Sequence, residues 1–336
     1  MSDVVRPNNH ISTIMKEYVK ELEFKYQNQG ELCGISTGYD CLDYKLDGLK
    51  SGEVTIIGGR PAMGKTALAA NLSYNIAAGL YFKHQQNPTD DKCVVYIGLE
   101  LAPKLFANRL LSLQTAIPTY KLRYAEDLEK NFAKICKAER AFRELPIYYL
   151  ADIFEVDGIE KELQKIEKQV GCVIIDYLQL LGEEYPAKED YSLIVLQLKS
   201  LAVKLGIPIV VLSQLKRDLE SRADKHPLIS DIRGYARNQN AADNILFLYR
   251  ENYYIKFAEP TKHKKETEEH YQKRVRQWQK RCDETENICE IIIARNSGGF
   301  CGIKKYPPQR VGINSWSGQR DCPSLSLTTF VAYQLR

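Results

Sequence analysis

Short runs of β-branched and other apolar residues alternate with amphipathic segments along most of the chain. The apolar runs lie at residues 54–58, 93–99, 147–151, 172–181, 208–215, 244–249 and 289–294. Apolar positions at helical spacing fill several of the gaps, at residues 65–78, 103–115, 125–143, 158–169 and 191–205. Strands that alternate with helices of this length indicate βαβ units. The pattern therefore predicts an α/β fold with a central, mostly parallel sheet.

Two segments lie outside this alternation. Residues 10–29 repeat apolar side chains at steps of three and four, which predicts an amphipathic helix that ends near Gly30. Such a helix either packs on its own domain or docks on a neighbouring subunit. Residues 256–287 carry nine Lys/Arg and seven Asp/Glu residues. We expect a charged helical insertion there whose mixed charges face water.

The composition is that of a globular protein, since 44% of the 336 residues are hydrophobic and 27% are charged. This excludes a wholly disordered or collagen-like chain. The net charge of +4 is too small to indicate a nucleic-acid partner by itself. Nine scattered cysteines without a C-x-x-C pair favour reduced thiols in a cytoplasmic protein and give no zinc site. Residues 66–82 lack charge but include several polar residues, so we expect no membrane span and no membrane partner.

A glycine-rich segment between a predicted strand and a predicted helix fits the pattern G-x-x-x-x-G-K-[ST]. Its residues are Gly59, Arg60, Pro61, Ala62, Met63, Gly64, Lys65 and Thr66. Glycines allow backbone N–H groups to approach phosphates, and the start of the following helix adds a positive field. Lys65 can reach the β- and γ-phosphates and Thr66 can ligate Mg²⁺. The segment predicts a site for a nucleotide and Mg²⁺.

Three apolar runs lead directly into a polar side chain, at Glu100, Asp176 and Gln214. Asp176 can hold Mg²⁺ through its water shell, although an acid at this place can also simply cap the strand. Glu100 can polarise an attacking water as a general base, or can be a glutamate that the start of the next helix favours. Gln214 can sense a γ-phosphate without adding charge, but a polar residue at a strand end is commonplace.

Together these segments resemble the ATPase domain of the DnaB replicative helicase family, within the RecA-like P-loop motors. The matching segments are residues 34–43, 59–66, 98–101, 176–180, 212–215, 230–233, 242–243 and 249–250. The resemblance extends over about residues 10–293 and implies a RecA-like ATPase domain at 31–303. A tail and linker helix at 1–30 would precede this domain, and a divergent basic tail at 304–336 would follow it.

The family forms ring-shaped hexamers that hydrolyse ATP at subunit interfaces and move along single-stranded DNA. The resemblance implies that Glu100 activates water, Asp176 organises Mg²⁺ and Gln214 couples the γ-phosphate to DNA. It also implies that Arg233 contacts the DNA backbone. The helix at 10–29 occupies the place of the linker helix, which packs on the adjacent subunit. The implied partners are single-stranded DNA, further copies of this chain, and a full-length helicase or a primase.

The sequence departs from the family at three places. Few residues precede the linker helix in this sequence, so we expect the N-terminal helical domain of the family to be missing. Gly234 follows Arg233 where the family usually has an acid, which puts the geometry of DNA contact in doubt. Ser297 falls at the position of the arginine finger, the residue that reaches the neighbouring γ-phosphate, and Arg295 falls at the preceding lysine. Arg295 is an alternative finger only if the turn shifts by two residues.

These departures leave two function classes open. The first is an ATP-hydrolysing, ring-forming DNA helicase or translocase. The second is a DnaB-like interaction protein that binds ATP, hydrolyses it poorly and joins a ring with a full-length helicase. A recombinase-like or clock-like relative is disfavoured by the segments at 176–179 and 213–215. The basic tail, with adjacent Pro307 and Pro308, suggests the hypothesis of a displaced or frame-shifted C-terminus.

Overall fold

The computed structural model describes residues 11–27, 31–182, 191–233, 241–286 and 288–298. The described strands form one seven-stranded sheet in the order β3-β2-β4-β5-β1-β6-β7. They are β1 (Val54–Gly59), β2 (Lys92–Gly98), β3 (Ile147–Leu150), β4 (Gln169–Asp176), β5 (Ile209–Gln214), β6 (Asn244–Tyr249) and β7 (Glu290–Arg295). All neighbouring strands are parallel except β6 and β7, which confirms the predicted α/β fold with a mostly parallel sheet.

Helices cover the sheet and extend from it. They are α1 (Ile11–Gln27), α2 (Asp40–Leu46), α3 (Lys65–Gln86), α4 (Pro103–Thr115), α5 (Thr119–Tyr124), α6 (Leu128–Glu144), α7 (Val156–Leu163), α8 (Ser192–Leu205), α9 (Glu251–Ile255) and α10 (Glu268–Thr285). The sheet has a hydrophobic core on each face, because successive side chains along a strand point to opposite faces. Ile56 belongs to one core with Leu198 of α8, and Ile57 belongs to the other with Leu72 of α3.

The strand registers place the candidate segments at one edge of the sheet. Gly59 of β1 is the partner of Gln214 of β5, and Gly98 of β2 is the partner of Asp176 of β4. Because these strands are parallel, their carboxyl ends emerge together, and ligands of open α/β sheets bind at this edge. The antiparallel β7 runs the other way, so Arg295 lies beside Ile245 near the opposite edge.

The structure corrects three of the predicted elements. The strand predicted at 172–181 is wrong beyond Asp176, because the chain turns there into a 3₁₀ helix at Leu178–Leu180 that buries Leu178. The helix predicted at 158–169 is shorter, since α7 ends at Leu163 and β4 begins at Gln169.

The helix predicted at 125–143 is observed as α6, but it begins only at Leu128, and the separate short helix α5 precedes it. Ala125 and Asp127, both with a φ of 54°, adopt the left-handed conformation and separate α5 from α6.

Two peripheral elements agree with the pattern in outline. The helix predicted at 10–29 is observed as α1, and its apolar side chains are exposed, with Ile11 at 64% and Tyr26 at 79%. The charged insertion is helical only in part, since α9 and α10 are joined by non-helical residues around Pro260. Among the described residues, no helix has the length and apolar character that crossing a membrane requires. The predicted tail at 304–336 lies outside the described residues.

Candidate functional site

The turn between β1 and α3 has the backbone that a phosphate-binding loop requires. Gly64 has a φ of 97° and Ala62 a φ of 64°, so both lie in the left-handed region. A Cβ on Gly64 would meet no atom within 4 Å, which shows open space beside the loop. The Lys65 ammonium spans the loop and donates hydrogen bonds to the Gly59 carbonyl at 2.8 Å and to the Arg60 carbonyl at 3.2 Å. The turn therefore presents a cation and an open concave backbone.

The electrostatic surroundings of Lys65 connect it with both candidate carboxylates. Burial lowers the pKa of Lys65 to about 8, the nearby Asp176 and Glu100 carboxylates oppose this shift, and the Arg60 guanidinium adds to it. The charges of Asp176 and Glu100 therefore act on Lys65, although the three residues come from separate segments. Thr66 follows in the first turn of α3 and is half-buried.

Asp176 is a buried carboxylate with a specific hydrogen-bond donor. It is only 3% exposed, and the hydroxyl of the fully buried Tyr96 donates to its Oδ2 at 2.7 Å. Burial raises the pKa of Tyr96 well above its usual value and the charge of Asp176 adds to this, so the hydroxyl stays protonated. The backbone N–H of Leu99 donates to the Asp176 carbonyl at 2.9 Å, which ties the segment with Glu100 to the end of β4.

A second tyrosine holds the segment that carries Glu100. The hydroxyl of Tyr149 in β3 donates to the carbonyl of Leu101 and lies 3.5 Å from that of Gly98. Glu100 itself is exposed. A Cβ at Gly98 would overlap the Tyr149 hydroxyl, so any larger residue here would displace the Tyr149 side chain. The sequence did not indicate a role for either tyrosine, since each lies in an apolar strand where an aromatic residue is expected to be part of the hydrophobic core.

The end of β5 is fixed by a glutamine that the sequence did not single out. The Gln179 amide donates to the Ser213 hydroxyl at 2.9 Å and to the Gln214 carbonyl at 3.2 Å. Its Oε1 accepts from the Gln214 backbone N–H at 3.1 Å. The half-buried Gln214 therefore stands on a clamped backbone next to the strand that leads into the glycine-rich turn.

Arg60 contacts the segment after β5 with its guanidinium. It is 6% exposed, and its Nε and Nη2 lie 2.8 Å from the Glu220 carboxylate. Its Nη1 donates to the Leu215 carbonyl, also at 2.8 Å. The side chain of Arg60 thus joins the turn to the neighbouring loop.

Arg233 does not join this group. It is exposed and follows Asp231, which accepts a bidentate pair of hydrogen bonds from Arg222 at 2.8 and 3.1 Å. An isolated bridge between Leu215 and Ile232 sets this segment beside the end of β5. Residues 234–240, which include the unusual Gly234, lie outside the described residues.

Both candidate finger residues lie at the opposite edge of the sheet. Arg295 is half-buried at the end of β7, and Ser297 is exposed just beyond it. The Ser297 hydroxyl donates to Glu53, the residue before β1, at 2.7 Å. Its backbone N–H donates to Asn244, at the start of β6, at 3.3 Å. A contact of either residue with a nucleotide at a glycine-rich turn therefore requires a second copy of the chain.

The donor set suits a loosely held, hydrated cation. In the described part of the chain, no group of three or more His, Cys, Asp or Glu side chains could hold a metal ion. Proteins usually bind Mg²⁺ with one or two carboxylates and leave the other positions to water and phosphate oxygens. The hydroxyl of Thr66 and the carboxylate of Asp176 are groups of this kind, so the residues present fit Mg²⁺.

Comparisons with known proteins agree with this geometry. The DnaB-like helicase C terminal domain family matches residues 34–305. The replicative DNA helicase DnaB of Rickettsia bellii is 32% identical over 87% of this chain and 59% of its own length. DnaB of Geobacillus stearothermophilus is 30% identical over 88% of this chain and 61% of its own. The chain thus spans about three-fifths of the length of these relatives.

Solved structures show the same fold. One solved ATPase domain superposes with a TM-score of 0.69 and 27% identity, over 88% of this chain and 94% of that one. A DnaB-like replicative helicase, described with its interactions with primase, superposes with a TM-score of 0.65 and 28% identity. This match covers 85% of this chain and 62% of the other. The match over most of the sequence and the RecA-like arrangement of the sheet confirm the resemblance: the chain belongs to the DnaB-like helicase C-terminal domain family.

Proposed function

We propose that the chain is the motor domain of a replicative-type DNA helicase, which hydrolyses ATP with Mg²⁺ and moves along single-stranded DNA. One observation carries the proposal: in a member of this family, the parallel strands bring the glycine-rich turn with Lys65, the end of β4 with Asp176 and the segment with Glu100 to one edge of the sheet. The RecA-like domain would comprise residues 31–303. Work on replicating DNA would place the protein in the cytoplasm, with primase as a further partner.

Each residue has a distinct role in the proposed reaction. The backbone of residues 59–66 and the Lys65 ammonium bind the phosphates, while Thr66 and Asp176 would hold Mg²⁺. When bound, Mg²⁺ neutralises charge on the phosphate oxygens. Glu100 accepts the proton of the attacking water, and its exposure leaves it accessible to that water. Gln214 contacts the γ-phosphate side of the site and transmits its presence to the segment that ends in Arg233.

We propose that the active form is a hexameric ring. Two features support an assembly of copies: the exposed apolar stripe of α1, and the location of the finger segment at the edge opposite the chain's own glycine-rich turn. In a ring, α1 would cover apolar surface of one neighbour, and the end of β7 would face a neighbour's nucleotide. Arg233 would then contact the DNA backbone in the channel.

A second candidate function is an ATP-binding subunit that hydrolyses poorly. The observation that favours it is the serine at the finger position, with its hydroxyl bound to Glu53 of the same chain. A neutral hydroxyl held in this way supplies no positive charge to a neighbouring γ-phosphate. Such a subunit would bind ATP and complete a ring whose other members hydrolyse it.

Steady-state ATP hydrolysis separates the two functions. If the chain is a motor, it should hydrolyse ATP in the presence of Mg²⁺, and single-stranded DNA should accelerate this turnover. The active species should sediment as a ring. The poorly hydrolysing subunit predicts nucleotide binding with little turnover under the same conditions. Lys65→Ala should weaken binding strongly in both cases, and undiminished ATP affinity in this variant would contradict the nucleotide site itself.

A further inference from the structure

Two tyrosines from neighbouring strands each hold one of the acidic segments of the site. We propose that Tyr96 and Tyr149 are positioning residues for ATP hydrolysis: Tyr96 orients Asp176 toward the metal, and Tyr149 fixes the bend that carries Glu100. The inference rests on the proposed ATPase function, which it deepens by assigning the geometry of both carboxylates to one pair of side chains.

Strand register places Tyr96 beside Asp176. Tyr96 of β2 is the partner of Ile174 of β4, and side chains two residues apart point to the same face of a sheet. The Tyr96 hydroxyl therefore reaches forward by one pleat and meets Asp176 Oδ2 at 2.7 Å, with both side chains buried. With Oδ2 held by this donor, Oδ1 is the oxygen that remains to bind the metal. A phenylalanine here would leave the carboxylate free to rotate.

Tyr149 acts one strand further out. It is the register partner of Tyr96, and the two rings stack with centroids 5.7 Å apart at an angle of 20°. The Tyr149 hydroxyl donates to Leu101 and lies near the Gly98 carbonyl, so it brackets Glu100 from both sides along the backbone. Because Glu100 is exposed, the backbone beneath it must set where its carboxylate lies. Phe106 packs against both rings and completes the support.

The two roles differ in what they control. Tyr96 touches the residue that would hold Mg²⁺, so its hydroxyl should affect the affinity for metal-bound nucleotide. Tyr149 touches the segment of the proposed general base, so its hydroxyl should affect turnover and leave metal affinity alone. Partners that orient metal ligands typically change metal affinity or activity by about 10- to 100-fold when removed. A role in folding alone would produce neither pattern.

The test of Tyr96 is the affinity for the fluorescent nucleotide mant-ADP, measured with MgCl₂ and with EDTA. The ratio of the two dissociation constants reports how much Mg²⁺ strengthens binding. In Tyr96→Phe we expect this ratio to fall by about 10-fold, with the affinity in EDTA unchanged. Tyr148→Phe is the matched control, because Tyr148 lies in β3 next to Tyr149 and packs on the other face of the sheet. An unchanged ratio in folded Tyr96→Phe would overturn the role of Tyr96.

The test of Tyr149 is the turnover number of Tyr149→Phe at saturating ATP and Mg²⁺. We expect kcat to fall by about 10-fold with the Mg²⁺ ratio of the wild type retained. The division of roles would be overturned if Tyr149→Phe kept the wild-type kcat. It would also be overturned if the variant lowered the Mg²⁺ ratio and left kcat unchanged. If Tyr96→Phe does not fold, the Tyr149→Phe result decides the proposal alone. A wild-type protein that binds mant-ADP·Mg²⁺ but never hydrolyses ATP would refute the proposed function, while the mant-ADP ratio would still judge Tyr96.

Discussion

The hydroxyl of Ser297 donates a hydrogen bond of 2.7 Å to Glu53, at the edge of the sheet opposite the glycine-rich turn. The other oxygen of Glu53 accepts from the Asn244 amide at 2.9 Å. The finger position of this chain is therefore occupied by a neutral side chain that is bound within its own domain. An arginine placed there would meet a carboxylate before it met a neighbour's phosphate.

This relationship predicts slow hydrolysis and a specific way to accelerate it. The γ-phosphoryl transition state carries negative charge that Lys65 and Mg²⁺ neutralise only in part, and an arginine finger is typically worth about 10³–10⁵ in turnover. Ser297→Arg alone should gain little, because Glu53 would bind the new guanidinium. In Ser297→Arg combined with Glu53→Gln, we expect kcat with single-stranded DNA to rise at least about 10-fold.

Glu53→Gln and Arg295→Ala, each made alone, are the controls for this experiment. Neither should change kcat, because neither removes a finger nor supplies one. A brisk wild-type activity that collapses in Arg295→Ala would identify Arg295 as the working finger, and the idea of a lost finger would be wrong.

Glu100→Gln should separate the chemical step from nucleotide binding. The amide keeps the shape of the side chain but cannot accept the proton of water, and general-base catalysis is worth about 10²–10⁴. We expect kcat to fall by about this factor while the mant-ADP affinity stays the same. If Glu100 only favours the start of α4, the variant would lose about 0.3–1 kcal/mol of stability and hydrolyse ATP at the wild-type rate.

Nucleotide affinity should decrease as the pH rises through about 8, the pKa of Lys65. The phosphates favour the charged ammonium, so bound nucleotide raises this pKa and the free protein loses its proton first. The affinity for nucleotide is therefore highest well below pH 8 and decreases above it. Between pH 7 and pH 9 it should fall by about 10-fold. Fluorescence titration of mant-ADP in EDTA measures this directly. The weaker binding that remains in Lys65→Ala should not change over the same range, and an identical pH profile in that variant would refute the assignment.

The sheet could be predicted because its strands are continuous apolar runs, as expected of strands buried on both faces. Local interruptions of the helices and strands could not be predicted. Ala125 and Asp127 adopt left-handed conformations without being glycine, so the break between α5 and α6 carries no sequence signal. Leu178 continues the apolar run of β4, yet it packs into the core from a 3₁₀ turn.

The candidate site also has residues that could be predicted from the sequence and residues that could not. Lys65 belongs to a local motif and Asp176 follows directly after an apolar run, so the sequence alone indicated both. The hydrogen bond between Tyr96 and Asp176 joins residues 80 positions apart. It depends on the order and register of β2 and β4, which a single sequence does not specify. Glu53 and Ser297 are separated by 244 positions and escaped prediction for the same reason.

The last prediction concerns assembly through α1. Its apolar side chains recur on one stripe and remain exposed, with Ile11 at 64%, Met15 at 54% and Leu22 at 45%. Burial of this stripe by a neighbouring copy would remove apolar surface from water at about 25 cal/mol per Å². Replacing these three residues by serine should therefore shift the protein toward monomer in sedimentation velocity. The melting temperature of the dilute monomer should not change, since the stripe contributes nothing to the core of its own domain. Serine at the exposed Lys16 and Lys20 is the matched control and should leave the oligomer intact. An unchanged oligomer together with a lowered melting temperature in the triple variant would show that α1 packs on its own domain instead.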